Sequence, residues 1–260
     1  MQIHFYKYQG TGNDFIILDN RDSNYSNITF EQVKFLCDRH FGIGADGLML
    51  LNTSNEFDFE MKYYNSDGNE STMCGNGGRC ITAFAKKLGL ISTSAVFQAI
   101  DGKHTATIDD QGNVCLKMND VTHIIKNDTY FELNTGSPHY VHFTEYVDEM
   151  DMKKEGKLIR YSPKYKDEGI NVNFVEVLSN DTLFVRTYER GVEDETLSCG
   201  TGVTAAAIAF CAEANGPQQV NVKTLGGQLQ VLFEADNNHG VKNVHLSGGA
   251  EFVFKGTIKD

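Results

Sequence analysis

Proline is scarce in this 260-residue chain, with three in all, and no low-complexity tract accompanies it. Composition therefore marks no linker between domains. Positive charge is also short: 23 Lys and Arg against 35 Asp and Glu give a net charge of −12 and a pI near 5.1. That balance argues against a nucleic-acid partner, which calls for a basic patch. It leaves room for a small anion, since one arginine or a helix end can bind a carboxylate. No stretch approaches the roughly 18 apolar residues of a spanning helix, so no membrane association is expected. The amino-terminal MQIHFYKYQGTGND lacks the apolar core of a secretory signal. A cytoplasmic location with reduced thiols is the expectation. The six cysteines form no CxxC and accompany no HxxxH spacing. That argues against a metal site and leaves packing or reactive thiols.

What is present is a real core, with 40% hydrophobic and 11% aromatic residues, and one fragment that occurs twice. ESTMCGNGGRC (70–80) and ETLSCGTGVTA (195–205) both contain Cys-Gly-x-Gly, with Cys199 following Cys74 by 125 residues. The same shift superposes Phe59 on Phe184, Tyr63 on Tyr188, Glu70 on Glu195 and Ser71 on Thr196, with no insertion needed. GTGNDFII (10–17) matches NTGSPHYV (134–141) at a shift of 124, which brings Ser137 onto Asn13. The chain therefore reads as two diverged copies of one unit of about 125 residues, with the linker near Met118 to Val121.

Short alternating segments dominate both copies. DFEMKYY (58–64), TLFVRTY (182–188), QVNVKTL (219–225) and AEFVFKG (250–256) have strand periodicity. Three segments read as helix. In ITFEQVKFLCDRHFG, Thr29 and Gln32 form a capping box and Gly42 ends the run. After Cys74, Ile81, Phe84, Ala85 and Leu88 share a face that Gly89 terminates. After Cys199, VTAAAIAFCAEA is apolar nearly all round, hence buried, and ends at Asn215-Gly216-Pro217. The expected fold class is α+β: two pseudo-symmetric halves, each a curved, mostly antiparallel sheet or barrel around a central helix.

Both repeated cysteines stand just before a buried helix. Unsatisfied N–H groups and the dipole there favour an anion, including a thiolate. The glycines at 75, 77, 200 and 202 let a ligand approach the backbone. Two such thiols facing each other across a cleft could act on opposite faces of one carbon, one removing a proton and the other supplying one. The outcome is inversion of a stereocentre.

KYQGTGNDFIILD, GIGADGL, NSDGNESTMCGNGGRC, GINVNFVEV, YERGVEDETLSCGTG and LSGGAEFVFKG occur in order over essentially the whole chain, which resembles the diaminopimelate epimerases. The resemblance implies inversion of one α-carbon of diaminopimelate without a cofactor, interconverting the LL and meso forms in lysine and peptidoglycan-precursor synthesis. It also implies a homodimer, and a last strand returning to the first half. The halves are then 1–118 completed by about 246–260, carrying Cys74, and 119–245, carrying Cys199.

By this resemblance Cys74 and Cys199 are the catalytic pair, with the choice of resting thiolate open. Asn13, Asn65, Ser137 and Asn171 are substrate contacts. Backbone groups of Gly75-Asn76 and Gly200-Thr201 hold the reacting carboxylate. Glu189 and Arg190 read the distal amino-acid end, and His139, with Glu189, tunes the thiols. The other four cysteines are read as packing. Two positions depart from the family: Ser137 replaces a common Asn, a shortening that water could fill, and Gly47 replaces a glutamine found in some members. GIGADG (42–47) fits G-x-G-x-x-G, yet it follows a helix and precedes the apolar LMLL, the reverse of a dinucleotide site. Two rivals remain distinct: a proline or hydroxyproline racemase, which has no use for Asn65, Asn171, Glu189 and Arg190, and a redox protein cycling a Cys74–Cys199 disulfide.

Overall fold

The computed structural model describes residues 2–236 and 240–259. The chain divides into two compact units, Met1–Leu116 with Gly248–Asp260, and Lys117–Ser247.

The first unit contains β1 (Gln2–Gly10), β2 (Asn13–Asp19), α1 (Phe30–Cys37), β3 (Gly47–Asn52), β4 (Phe59–Asn65), β5 (Glu70–Ser71), α2 (Gly75–Lys87), β6 (Ser94–Ala99), β7 (Gly102–Ile108) and β8 (Asn113–Lys117). The second contains β9 (Ile124–Lys126), β10 (Phe131–Asn134), β11 (Pro138–Phe143), α3 (Met152–Arg160), β12 (Asn171–Val177), β13 (Thr182–Glu189), β14 (Asp194–Thr196), α4 (Gly200–Phe210), β15 (Gly216–Thr224), β16 (Gly227–Asp236) and β17 (Gly240–Gly249). The last strand, β18 (Glu251–Lys259), pairs antiparallel with β1 and so completes the first sheet.

In the first unit the strands run β18-β1-β2-β3-β4-β6-β7-β8, with parallel pairs only at β2–β3 and β4–β6 among those described. In the second they run β9-β10-β11-β12-β13-β15-β16, again with parallel pairs at β11–β12 and β13–β15. Each sheet curls around one helix. α2 touches β1, β2, β3, β7 and β18, and α4 touches β10 to β13, β15 and β16. The apolar circumference of α4 explains this: Val203, Ala205, Ala206, Ala207 and Ile208 are all fully buried.

Strand register corrects the insertion-free repeat. Leu48 pairs with Tyr64 and Val172 with Tyr188, so a shift of 124 holds through these strands and Tyr188 matches Tyr64, not Tyr63. Beyond them Tyr64 faces Glu70 while Tyr188 faces Glu195. The second turn thus carries one extra residue, and the shift becomes 125 only from there.

Two helix expectations also shift, and one helix was not expected. The Thr29–Gln32 capping box is present, but α1 stops at Cys37, because Asp38 leaves helical geometry and its carboxylate accepts the N–H groups of His40 and Phe41. α4 ends at Phe210, with Cys211 as its cap, well before Asn215. α3 has no counterpart in the sequence reading. Its cap, Asp151, accepts from the Lys154 N–H at 3.1 Å, and Gly156 lies against Tyr188, where a Cβ would come within 2.4 Å.

Candidate active site

Cys74 is the N-cap of α2 and Cys199 the N-cap of α4, and neither makes a capping bond with its side chain. The first-turn amides of Gly75-Asn76 and Gly200-Thr201 stand at the positive ends of these helices, where an anion is favoured. All six cysteines lie outside any disulfide. Burial pushes Cys37 and Cys80 up to about 12, which keeps them protonated packing groups.

Around Cys74 the structure brings together Asn13, Asn76 and the sulfur. The Cys74 thiol points at Asn13 Oδ1 at 3.6 Å, and Asn76 Nδ2 donates to the same oxygen at 3.2 Å. Asn13 Nδ2 donates to the Asp46 carboxylate at 2.7 Å, which fixes its amide orientation. Asp46 and Asp14 share Arg39, and Asp14 also pairs with Lys7 at 2.8 Å. Burial alone would raise the Asp14 carboxyl; hydrogen bonds from Arg39 and Lys7 overcome it and hold it at about 2. Beneath this cluster lies Arg79, fully buried. It donates to the Thr11 hydroxyl at 3.2 Å and weakly to Gly75 O at 3.5 Å, while its Nε finds no partner. Burial opposes its charge, and the sulfurs of Cys80 and Cys74 favour it.

Asn65 ends β4 opposite Gly47, outside that bonded cluster among the described residues. Gly47 could not carry the glutamine of other family members without rearrangement. A Cβ there would come within 2.5 Å of the Tyr63 ring and 2.7 Å of Tyr64 O.

The Cys199 side is a polar network. Ser137 Oγ lies 3.0 Å from His139 Nε2, 3.2 Å from Thr201 Oγ1 and 3.0 Å from Asn171 Nδ2. Thr201 Oγ1 is 3.4 Å from the sulfur of Cys199. The shorter serine thus reaches all three neighbours with its own hydroxyl. Asn171 accepts the Arg190 N–H at 2.8 Å. The Glu189 carboxylate accepts from the Thr196 hydroxyl at 3.0 Å. The exposed Arg190 guanidinium reaches Glu168 O at 3.0 Å. His139 is wholly buried, and burial together with the charge of Arg190 pushes it down to about 3. At neutral pH it is an uncharged donor–acceptor, so it acts by hydrogen bonding and not as a cation beside the thiols.

Sequence reasoning passed over Asn173, Thr187, Asp46 and Arg79. Asn171 and Asn173 alternate along β12, which puts both on one sheet face. A polar pair in a strand that is apolar but for Glu176 is a signal that could have found Asn173. Arg79 follows the Cys-Gly-x-Gly turn in the first copy only and looks like surface in the sequence.

Among the described residues no three His, Cys, Asp or Glu side chains group to hold a metal ion, and no helix is long and apolar enough to cross a membrane.

The family model described as diaminopimelate epimerase matches residues 5–124 and 131–253. A diaminopimelate epimerase of Flavobacterium psychrophilum is 52% identical over 254 residues, covering 97% of this chain and 99% of that one. Another, from Chlorobaculum tepidum, is 40% identical, covering 96% and 98%. Among solved structures, a PhzF-family phenazine biosynthesis protein of Bacillus anthracis superposes with a TM-score of 0.75 at 13% identity, covering 100% of both chains. A hydroxyproline epimerase from Agrobacterium vitis does so at 0.68 and 12% identity, covering 99% and 92%. These distant structures speak for the two-unit fold alone. The match across nearly the full length of much closer relatives speaks for the activity class, and the chain is an isomerase of the diaminopimelate epimerase family.

Proposed function

We propose that the chain interconverts LL- and meso-diaminopimelate by a two-base, cofactor-independent reaction. The observation that carries the reading is the equivalent placement of Cys74 and Cys199, each the N-cap of the buried helix of its own unit. One cysteine, as thiolate, takes the α-proton and becomes a thiol. The other gives its S–H proton to the opposite face of the carbanion and becomes a thiolate. The carbon inverts, no electrons are exchanged, and the two sulfurs end with their roles reversed. First-turn amides of Gly75-Asn76 and Gly200-Thr201 would hold the carboxylate next to the reacting carbon and stabilise charge spreading into it. Asn13, Asn65, Ser137, Asn171, Glu189 and Arg190 are assigned to the substrate's polar groups, with Arg190 suited to the distal carboxylate and Glu189 to its ammonium.

The test is reduced protein with LL-diaminopimelate in deuterated water, with nothing added. The expected product is the meso form carrying deuterium at the inverted carbon. Turnover of proline or hydroxyproline instead would move the chain to that substrate class. No exchange on any of them would overturn the reading.

A further inference from the structure

The polar network beside Cys199 has a direction that its anchors determine. Asn171 accepts the backbone N–H of Arg190 on Oδ1, so its amide nitrogen is the group facing Ser137 Oγ. Asn173 is fully buried; its nitrogen donates to Tyr140 O at 2.9 Å and its oxygen accepts from the Thr187 hydroxyl at 2.9 Å. That same nitrogen lies 3.0 Å from His139 Nδ1, which must therefore be the acceptor. A neutral imidazole carries one N–H, here placed on Nε2 and directed at Ser137 Oγ. The serine oxygen then receives two hydrogen bonds, which uses both lone pairs. Its own proton is left for Thr201 Oγ1, and the Thr201 hydroxyl, 3.4 Å from the sulfur, is then placed to donate its proton there.

We infer that Asn173 is a positioning residue: by fixing which nitrogen of His139 carries the proton, it sets a one-way chain of donors, His139 to Ser137 to Thr201, that ends on the sulfur of Cys199. A sulfur that receives a hydrogen bond is favoured as the thiolate. The site is shaped for this arrangement. Gly202 makes room for Asn173, since a Cβ there would come within 2.3 Å of Asn173 Oδ1. Charged groups on the surrounding strands are engaged elsewhere: Glu195 with Arg186, Asp194 with Lys153, Glu189 with Thr196 and Arg190 with Glu168 O. Lys223 lies over the Phe184 ring.

The inference rests on Cys199 being catalytic, as proposed above, but its test needs no turnover. Nitrogen-15 NMR of histidine-labelled protein should show His139 neutral with its proton on Nε2 at pH 7 and still so at pH 5. A proton on Nδ1, or an imidazolium at pH 7, overturns the chain. Alkylation by iodoacetamide at pH 7, followed for each cysteine peptide, gives the second readout. Ser137→Ala and Asn173→Ala should each slow Cys199 roughly tenfold, the equivalent of about one pH unit, with little change at Cys74. Because the links act in series, the double variant should be no slower than the slower single one. Equal slowing at both cysteines, or none at Cys199, overturns the inference. Should Asn173→Ala fail to fold, Ser137→Ala with the NMR signal decides alone. If diaminopimelate is not turned over while these signatures hold, the substrate assignment fails and the relay stands.

Discussion

The two units rest the first turn of the central helix on opposite kinds of support. Under α2, a side chain at Gly77 would meet Met49, Met61 and Phe15. Under α4, the equivalent Gly202 meets Asn173 and Thr187. By register, Phe15 and Met49 occupy the places of His139 and Asn173. Charge is distributed the other way. Arg79 is buried under the first cysteine, whereas its counterpart, Thr204, is a neutral residue bonded to Gly200 O. A duplicated scaffold thus supports one thiol by a buried cation on an apolar bed and the other by a directed set of hydroxyls. At Cys74 the sulfur donates to Asn13, which suits a thiol; at Cys199 the inferred chain of donors ends on the sulfur, which suits a thiolate. The proposed two-base reaction needs both sulfurs to ionise in turn, and the charge of Arg79 would favour that of Cys74 on the return half of the cycle.

The largest expected effect treats the halves alike. Cys74→Ala and Cys199→Ala should each lower epimerisation by roughly a thousandfold or more, since each removes one proton-transfer group. Near-normal turnover in either variant would contradict the pairing. Gly202→Ala against Gly77→Ala sharpens the difference. The first forces a buried, hydrogen-bonded Asn173 aside and should cost about 1–3 kcal/mol by urea denaturation. The second presses only on the flexible Met49 and should cost clearly less; equal costs would mean that the two beds are the same.

Acid separates the units as well. Below its unfolded-state value of about 6.5, His139 takes up a proton only on unfolding, so its contribution is intact above that pH and is lost as pH falls towards about 3. At pH 5 the loss is about 2 kcal/mol relative to pH 7.5, and His139→Gln should flatten that slope. An unchanged slope would show that His139 protonates within the fold. Asp14 has the opposite sign of charge: its stabilising contribution, present above about 4, is lost only as pH falls further towards about 2. The smallest expected effect is Arg79→Met, which should slow alkylation of Cys74 by several-fold to about tenfold at pH 7 and leave Cys199 unchanged.

Residues with a repeated local signature were legible in the sequence. Cys74 and Cys199 stand out because the glycines of a helix start recur beside them, and Thr29 because capping chemistry is local. What was not legible depends on contacts distant along the chain. The extra residue before Glu195 is invisible without strand pairing. α3 hides because Gly156 and five charged residues leave it little apolar pattern, although Asp151 caps it. Arg79 and Asn173 look like surface polarity until burial is known, and the direction of the relay depends on backbone groups of Tyr140 and Arg190 that no periodicity shows.

The most direct test of the contrast between the two sulfurs is the pH dependence of alkylation at each cysteine of the wild-type protein, followed by peptide mass spectrometry without substrate. Ionisation of Cys199 at a lower pH than Cys74 is the predicted result. Cys74 ionising first would mean that the buried charge of Arg79 outweighs the hydroxyl chain, and the resting roles of the two cysteines would be the reverse of those argued here.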